Sequence, residues 1–182
     1  MGLALILVVA ALAILIWGFN SLTTMRNVVR NAWADIDVQL KRRAELVPNL
    51  VETTKGYSGF EREVLEDVTR ARAQAADSGL GPAKRAAAEE QLASRVTQIL
   101  AVVESYPELK ASAHFMRLQE ELSETESKLA SSRQYYNAAV RDFNTMQDSF
   151  PLNTISSVFG FKRSEFFSVD EESERVAPAA RF

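Results

Sequence analysis

A seven-residue repeat of large apolar side chains runs without interruption through the second half of the chain. Its members are Phe115, Leu122, Leu129, Tyr136, Phe143 and Phe150. A second row lies beside it and comprises Leu118, Thr125, Ser132, Ala139 and Met146. No Gly or Pro occurs within the run, and Pro151 follows it directly. Two such rows form one stripe on a helix roughly 55 Å long, which predicts that the helix packs against a second helix of similar length.

The matching helix is predicted over residues 21–55, where two further rows share the seven-residue spacing. These rows are Leu22, Val29, Ile36, Arg43 and Leu50, and Trp33, Leu40, Val47 and Thr54. Pro48 falls inside this helix, lacks a backbone N–H and clashes with the carbonyl group four residues earlier. We therefore expect a kink or a break at Pro48.

Two shorter helices are predicted between the long ones. The first follows a capping box at Ser58–Glu61 and runs to about Ala76; the second runs from Pro82 to about Ser105. Gly and Pro are few, and short loops make successive helices antiparallel. The sequence predicts an all-α protein whose residues 21–151 form an elongated antiparallel up-down bundle of about four helices, two of them long.

The first twenty residues are predicted to form a transmembrane anchor. Every residue from Leu3 to Phe19 is apolar or Gly, and a helix of this length can just span a bilayer when flanking residues lie at the interface. The alternative is a cleaved signal peptide, which requires a positively charged start that this chain lacks. Because Arg26 and Arg30 follow the apolar run, the bundle is expected in the cytoplasm and the N-terminus outside.

Residues 152–167 combine aromatic rings with cations, a composition suited to the lipid headgroup region. The candidate membrane-interface residues are Phe159, Phe161, Lys162, Arg163, Phe166 and Phe167. In the alternative interpretation the rings fold back and cap the end of the bundle. Residues 168–182 are acidic, have no apolar pattern and are predicted to be disordered.

Composition and motifs indicate a protein that is not an enzyme. The chain has no Cys and a single histidine, His114, and it contains no Glu-x-x-His pair, phosphate-binding loop or nucleophile elbow. No cofactor or metal is therefore expected. Five acidic and two basic residues from Ser164 onward account for the formal net charge of −3, so the rest of the chain is near neutral and nucleic acid is not an expected partner.

Arg43 is the one charged residue in the apolar rows. It could form a buried polar layer with Glu121 or Glu126 that fixes the register of the helices, or it could extend along its stem to solvent. The run Lys41–Arg43 could bind lipid, but it lies roughly 30 Å beyond the anchor, so an ion-paired bundle surface is the favoured interpretation.

These residues resemble the LemA family of bacterial membrane proteins over about residues 3–167. The resemblance is carried by the segments Asn31–Arg43, Leu46–Tyr57, Tyr106–Ala111 and Leu118–Glu126, and by Tyr136-Asn137, Phe143-Asn144, Phe150-Pro151 and Gly160-Phe161. It implies a single-span protein of the bacterial inner membrane with a cytoplasmic antiparallel bundle. No enzymatic activity is established for the family, which includes scaffolding or stress-linked envelope proteins and a branch associated with magnetosome membranes.

The resemblance also singles out polar motif residues that could form an interaction surface or internal bundle contacts. They are Asn31, Asp35, Asp37, Arg42, Arg43, Asn49 and Glu52. We expect a membrane-anchored scaffold or adaptor whose partners are lipid, copies of itself and other membrane or envelope-stress proteins. The alternative is a membrane-sensing or membrane-remodelling protein that acts through residues 152–167.

Overall fold

The computed structural model describes residues 1–57, 61–77 and 79–168. Six helices account for most of them: α1 (Gly2–Lys55), α2 (Arg62–Ala75), α3 (Pro82–Val103), α4 (Pro107–Lys110), α5 (Ala113–Asp148) and α6 (Leu152–Phe159). These described residues contain no β-strand, which confirms the predicted all-α class. The expected disorder of the tail concerns residues that, from position 169 onward, lie outside the described ranges.

Helix α1 is a single helix of 54 residues in which the predicted anchor and the first bundle helix are continuous. The prediction of a break at Pro48 is wrong, because the helix continues to Lys55. In a regular helix the Ala44 carbonyl would accept a hydrogen bond from the backbone N–H of residue 48, which proline lacks. Here it accepts a hydrogen bond of 2.7 Å from the Arg72 Nε. The side chain from α2 thus replaces the hydrogen bond that proline removes.

The beginning of α1 is long and apolar enough to cross a membrane, with a mean hydropathy of 2.7 over its most apolar window and only 6% of that window buried. Large side chains here are exposed on all sides of the helix, from Leu3 at 74% to Trp17 at 60%. Because exposed apolar surface of this extent is unfavourable in water, the segment is suited to the hydrocarbon of a bilayer.

The chain divides into two compact units, and the first comprises residues 1–42 and 124–166. Its core contains the predicted rows of α1 and α5, including Leu22, Val29, Ile36, Leu40, Leu129, Tyr136, Ala139 and Phe143. The Trp33 and Tyr136 rings, one from each helix, have centroids 5.4 Å apart. Phe150, the last member of its row, is 85% exposed because α5 ends at Asp148 and the helical spacing ends with it.

The second unit includes residues 43–123 and is built around one apolar cluster. This cluster takes one stripe from each contributing helix, including Val47 and Leu50 of α1, Val68 of α2, Ile99 of α3 and Phe115 of α5.

Helix α2 begins at Arg62 with Glu61 as its N-cap and no side-chain capping bond. Residues 58–60 of the predicted capping box lie outside the described ranges. Helix α4 was not predicted and buries Leu109 completely.

Candidate membrane-proximal and interaction sites

Helix α6 packs against α1 where the apolar run ends. Gly18 permits this approach, because an added Cβ would overlap the Ile155 side chain and lie 3.0 Å from the Leu152 Cδ2. Leu152 and Ile155 are both buried. The absence of a side chain at Gly18 therefore allows α6, which begins the predicted aromatic segment, to pack beside the end of the apolar run.

Aromatic rings surround Phe19, the last residue of the apolar run. The Phe19 ring centroid lies 5.0 Å from that of Phe159 and 5.7 Å from that of Phe161, both in edge-to-face geometry. The Arg26 guanidinium carbon lies 5.1 Å from the centroid of Phe161. Phe161 is thus held between an aromatic ring and a cation of the same helix.

The extended segment that follows α6 is bound to α5 through its main chain. Gly160, in the left-handed conformation with φ of 68°, ends α6. Asn144 then donates to the Ser164 carbonyl at 3.0 Å and accepts from the Ser164 N–H at 2.9 Å. Tyr136 donates its hydroxyl to the Glu165 carbonyl at 2.8 Å. Burial, with a smaller effect of the Glu165 carboxylate, raises the pKa of Tyr136 to about 12, so its hydroxyl remains a donor at neutral pH.

The predicted membrane-interface residues divide into exposed and covered groups. Phe159 and Phe166 are 53% and 42% exposed, Lys162 and Arg163 are exposed, and Phe161 is half-buried. Arg163 forms an ion pair with Asp148 at 3.1 Å. The prediction for Phe167 is wrong, because this ring is 1% exposed and presents no surface to lipid.

Two exposed apolar residues of the same region were not among the predicted membrane-interface residues. Phe150 is 85% exposed and Val158 is 73% exposed. The seven-residue spacing predicts that Phe150 belongs to the packed row of α5. The helix, however, ends at Asp148, two residues before Phe150. We call Phe150 and Val158, together with Phe159 and Phe166, the exposed apolar group; all four lie between residues 150 and 166, where α6 packs beside the end of the apolar run.

Most of the predicted interaction residues lie on the surface of α1. Asn31, Asp35, Asn49 and Glu52 are exposed. Glu52 pairs with Lys55 at 3.4 Å, Asp37 with Lys41 at 2.8 Å, and Arg42 with Glu124 at 3.4 Å. A hydrogen bond from Lys128 is the main reason that the pKa of Glu124 is lowered, and the charges of Lys128 and Arg42 add to this effect.

Arg43 differs from the other predicted interaction residues because it is only 4% exposed. Its Nη1 lies 3.3 Å from the Glu89 Oε2 and 3.4 Å from the Glu89 carbonyl oxygen, and the Arg85 Nε lies 3.7 Å from the Glu89 Oε1. Glu89 and Arg85 both belong to α3 and are also buried. Arg43 is thus an internal contact. The expected extension of the Arg43 side chain to solvent is therefore wrong.

Burial raises the pKa of Glu89, and the Arg43 and Arg85 charges partly oppose this shift. Neither Glu89 nor Arg85 was a candidate from the sequence. The first half of α3 is rich in alanine, so its apolar pattern does not show which charged residues face inward. Within the described ranges, no group of three or more His, Asp or Glu side chains could hold a metal ion.

An apolar, exposed helix that continues without interruption into a helical bundle defines a membrane-associated helical protein. The chain belongs to the LemA family, whose model matches residues 32–182. It is similar to the magnetosome protein MamQ 2 of Paramagnetospirillum magneticum, with 24% identity over 92% of this chain and 71% of the relative. MamQ of Magnetospirillum gryphiswaldense is 21% identical over the same shares. The protein LemA of Metamycoplasma hominis is 25% identical over 86% of this chain and 74% of that protein.

Proposed function

We propose that this protein is a membrane-anchored scaffold, without enzymatic activity, that presents its helical bundle to partners on the cytoplasmic side of the bacterial inner membrane. The continuity of α1 carries this proposal, because one helix joins the apolar anchor directly to the bundle. Family membership supports it, since the LemA and MamQ relatives are not known enzymes. The proposed orientation follows from Arg26 and Arg30, the first cations after the apolar run.

Self-association is the property of a scaffold that can be measured most directly. We expect the full-length chain in mild detergent to elute as a discrete assembly whose protein mass is a multiple of 20.3 kDa, as measured by light scattering coupled to size exclusion. A control variant carries an unrelated apolar helix of equal length in place of residues 3–19. An assembly that persists in this control is driven by the bundle. A monomer at every concentration contradicts the self-associating scaffold.

A second candidate function, membrane sensing, is favoured by the exposed apolar group formed by Phe150, Val158, Phe159 and Phe166. Because α6 packs beside the end of the apolar run, we expect these side chains to enter the headgroup region of the same bilayer. If the depth to which these side chains insert varies with lipid composition, a change in the lipids would change the contacts between α6 and α1.

Membrane contact of this group can be tested with a fluorophore, since the chain contains no cysteine. We expect an environment-sensitive probe attached to Val158→Cys to emit at shorter wavelength in vesicles of phosphatidylethanolamine and phosphatidylglycerol than in vesicles with shorter acyl chains. The matched control is the same probe at Ser131→Cys, an exposed position in the middle of α5. Equal emission at both sites in every vesicle contradicts the sensing role.

A further inference from the structure

The side of α1 that faces away from the bundle core carries a second stripe at helical spacing. Asn27, Asn31, Ala34 and Val38 recur at intervals of four, three and four residues, and all are exposed. Val38, at 59% exposure, is the largest apolar side chain among them. We call these four residues the outer seam. Their spacing is that of the a and d positions of a coiled coil, with Asn31 and Val38 at a.

Charged residues flank the outer seam at the positions that select partners in coiled coils. Arg30 and Asp37 occupy the g positions, and Asp35 and Arg42 occupy the e positions. In a parallel two-helix coil, a g residue faces the e residue five positions later on the other helix. Arg30 then meets Asp35 of the second helix, and Asp37 meets Arg42. Both pairs combine opposite charges.

The contacts within one chain leave this pairing available. Arg30 and Asp35 have no ion-pair partner among the described residues and are both exposed. Asp37 and Arg42 have the intrachain partners Lys41 and Glu124, but these pairs are partly exposed to solvent, with side-chain exposures of 34% for Asp37 and 42% for Arg42. Exposed pairs contribute little to stability and exchange partners at low cost.

The anchor determines how two copies can meet. The anchor and the outer seam lie on the same helix and in the same compact unit, so copies inserted in the same direction present Val38 at the same level, about 27 Å beyond Asn20. Parallel alignment is the geometry in which each residue of the seam meets its own copy. An asparagine at an a position, as at Asn31, favours this register and a two-stranded coil.

We propose that two copies of this chain associate in parallel through the outer seam of α1, with Arg30 of each copy paired to Asp35 of the other. This inference rests on the scaffold role proposed above and identifies the partner as a second copy. It also accounts for three polar motif residues, Asn31, Asp35 and Arg42, that the core of a single chain does not require.

Cysteine cross-linking in vesicles tests the seam, because the full-length chain contains no native cysteine. We expect Asn31→Cys and Val38→Cys each to form disulfide-linked dimers on mild oxidation in vesicles of phosphatidylethanolamine and phosphatidylglycerol. The control is Ala130→Cys, an exposed position on α5 outside the seam. Equal cross-linking of the control, or none at either seam position, would overturn the proposal.

Charge exchange provides a second test in the Val38→Cys background. Arg30→Asp and Asp35→Arg each replace attraction with repulsion in both symmetric pairs, so each should slow dimer cross-linking about tenfold. The double variant restores opposite charges and should recover most of the original rate. Failure of the double variant to recover, with helicity unchanged by circular dichroism, contradicts the pairing.

The two proposals fail in different ways. A discrete assembly in detergent without cross-linking at Asn31 or Val38 overturns the outer seam and leaves the scaffold role intact. A monomer in detergent and in vesicles overturns both.

Discussion

Replacing Glu89 by alanine is expected to lower the free energy of unfolding by about 3–5 kcal/mol, because it leaves the buried guanidinium groups of Arg43 and Arg85 without their shared carboxylate. Thermal or urea unfolding of the full-length chain in mild detergent, followed by circular dichroism, measures the effect. The matched control is Glu90→Ala, since Glu90 is the next residue of α3 and is exposed. This control should change the unfolding free energy by less than about 0.5 kcal/mol.

A glutamine at position 89 separates charge from hydrogen bonding, since it keeps an acceptor for Arg43. Burial raises the pKa of Glu89 above its ordinary value of 4.5, so the folded protein holds this proton more tightly than the unfolded chain. The contribution of Glu89 to wild-type stability therefore falls as pH rises from 4.5 through the raised pKa, and a glutamine does not titrate. The stability advantage of wild type over Glu89→Gln should shrink across this window. An advantage that grows with pH contradicts the raised pKa.

The second large effect is expected for Asn144→Ala, which removes both hydrogen bonds to the main chain of Ser164. Leaving the Ser164 N–H and carbonyl without these partners should cost about 2–4 kcal/mol. The loss should be localised, so that amide hydrogen exchange at Ser164 accelerates markedly. Thr145→Ala, at the adjacent exposed position, is the control and should leave this exchange rate unchanged. Unaltered exchange at Ser164 in Asn144→Ala would show that other contacts hold the segment.

The long helices were predictable from the sequence because their apolar rows carry the signal that packing requires. Ile36 and Leu40 on α1, and Leu129 and Phe143 on α5, are buried as their spacing predicts. The spacing continues to Phe150, but it does not show that α5 ends at Asp148. Periodicity identifies the buried face of a helix and is less informative about where the helix ends.

Contacts between helices distant in sequence were the least predictable part. A kink or a break was the expectation at Pro48, but α1 continues through it. The Ala44 carbonyl is bound by Arg72, which lies 28 residues from Ala44 and is linked to it by no local pattern. Glu89, which pairs with Arg43, lies on α3, and no local pattern in the sequence links these two residues. Both are single side-chain contacts whose location depends on how the helices pack. The sequence patterns specify which faces pack, but not which polar groups meet there.

The continuity of α1 has a mechanical consequence for the bundle. When the hydrocarbon of the bilayer is thinner than the length of an apolar helix, the helix tilts so that its apolar residues stay within the hydrocarbon. The part of α1 from Asn20 to Arg42 is about 33 Å long, so a tilt of about 10° displaces its far end sideways by about 6 Å. In the proposed membrane-anchored arrangement, a small change in bilayer thickness would thereby become a lateral movement comparable to the width of a side chain. In that arrangement the apolar run and the part of α1 that carries Asn31 and Val38 would tilt together, because they belong to one continuous helix.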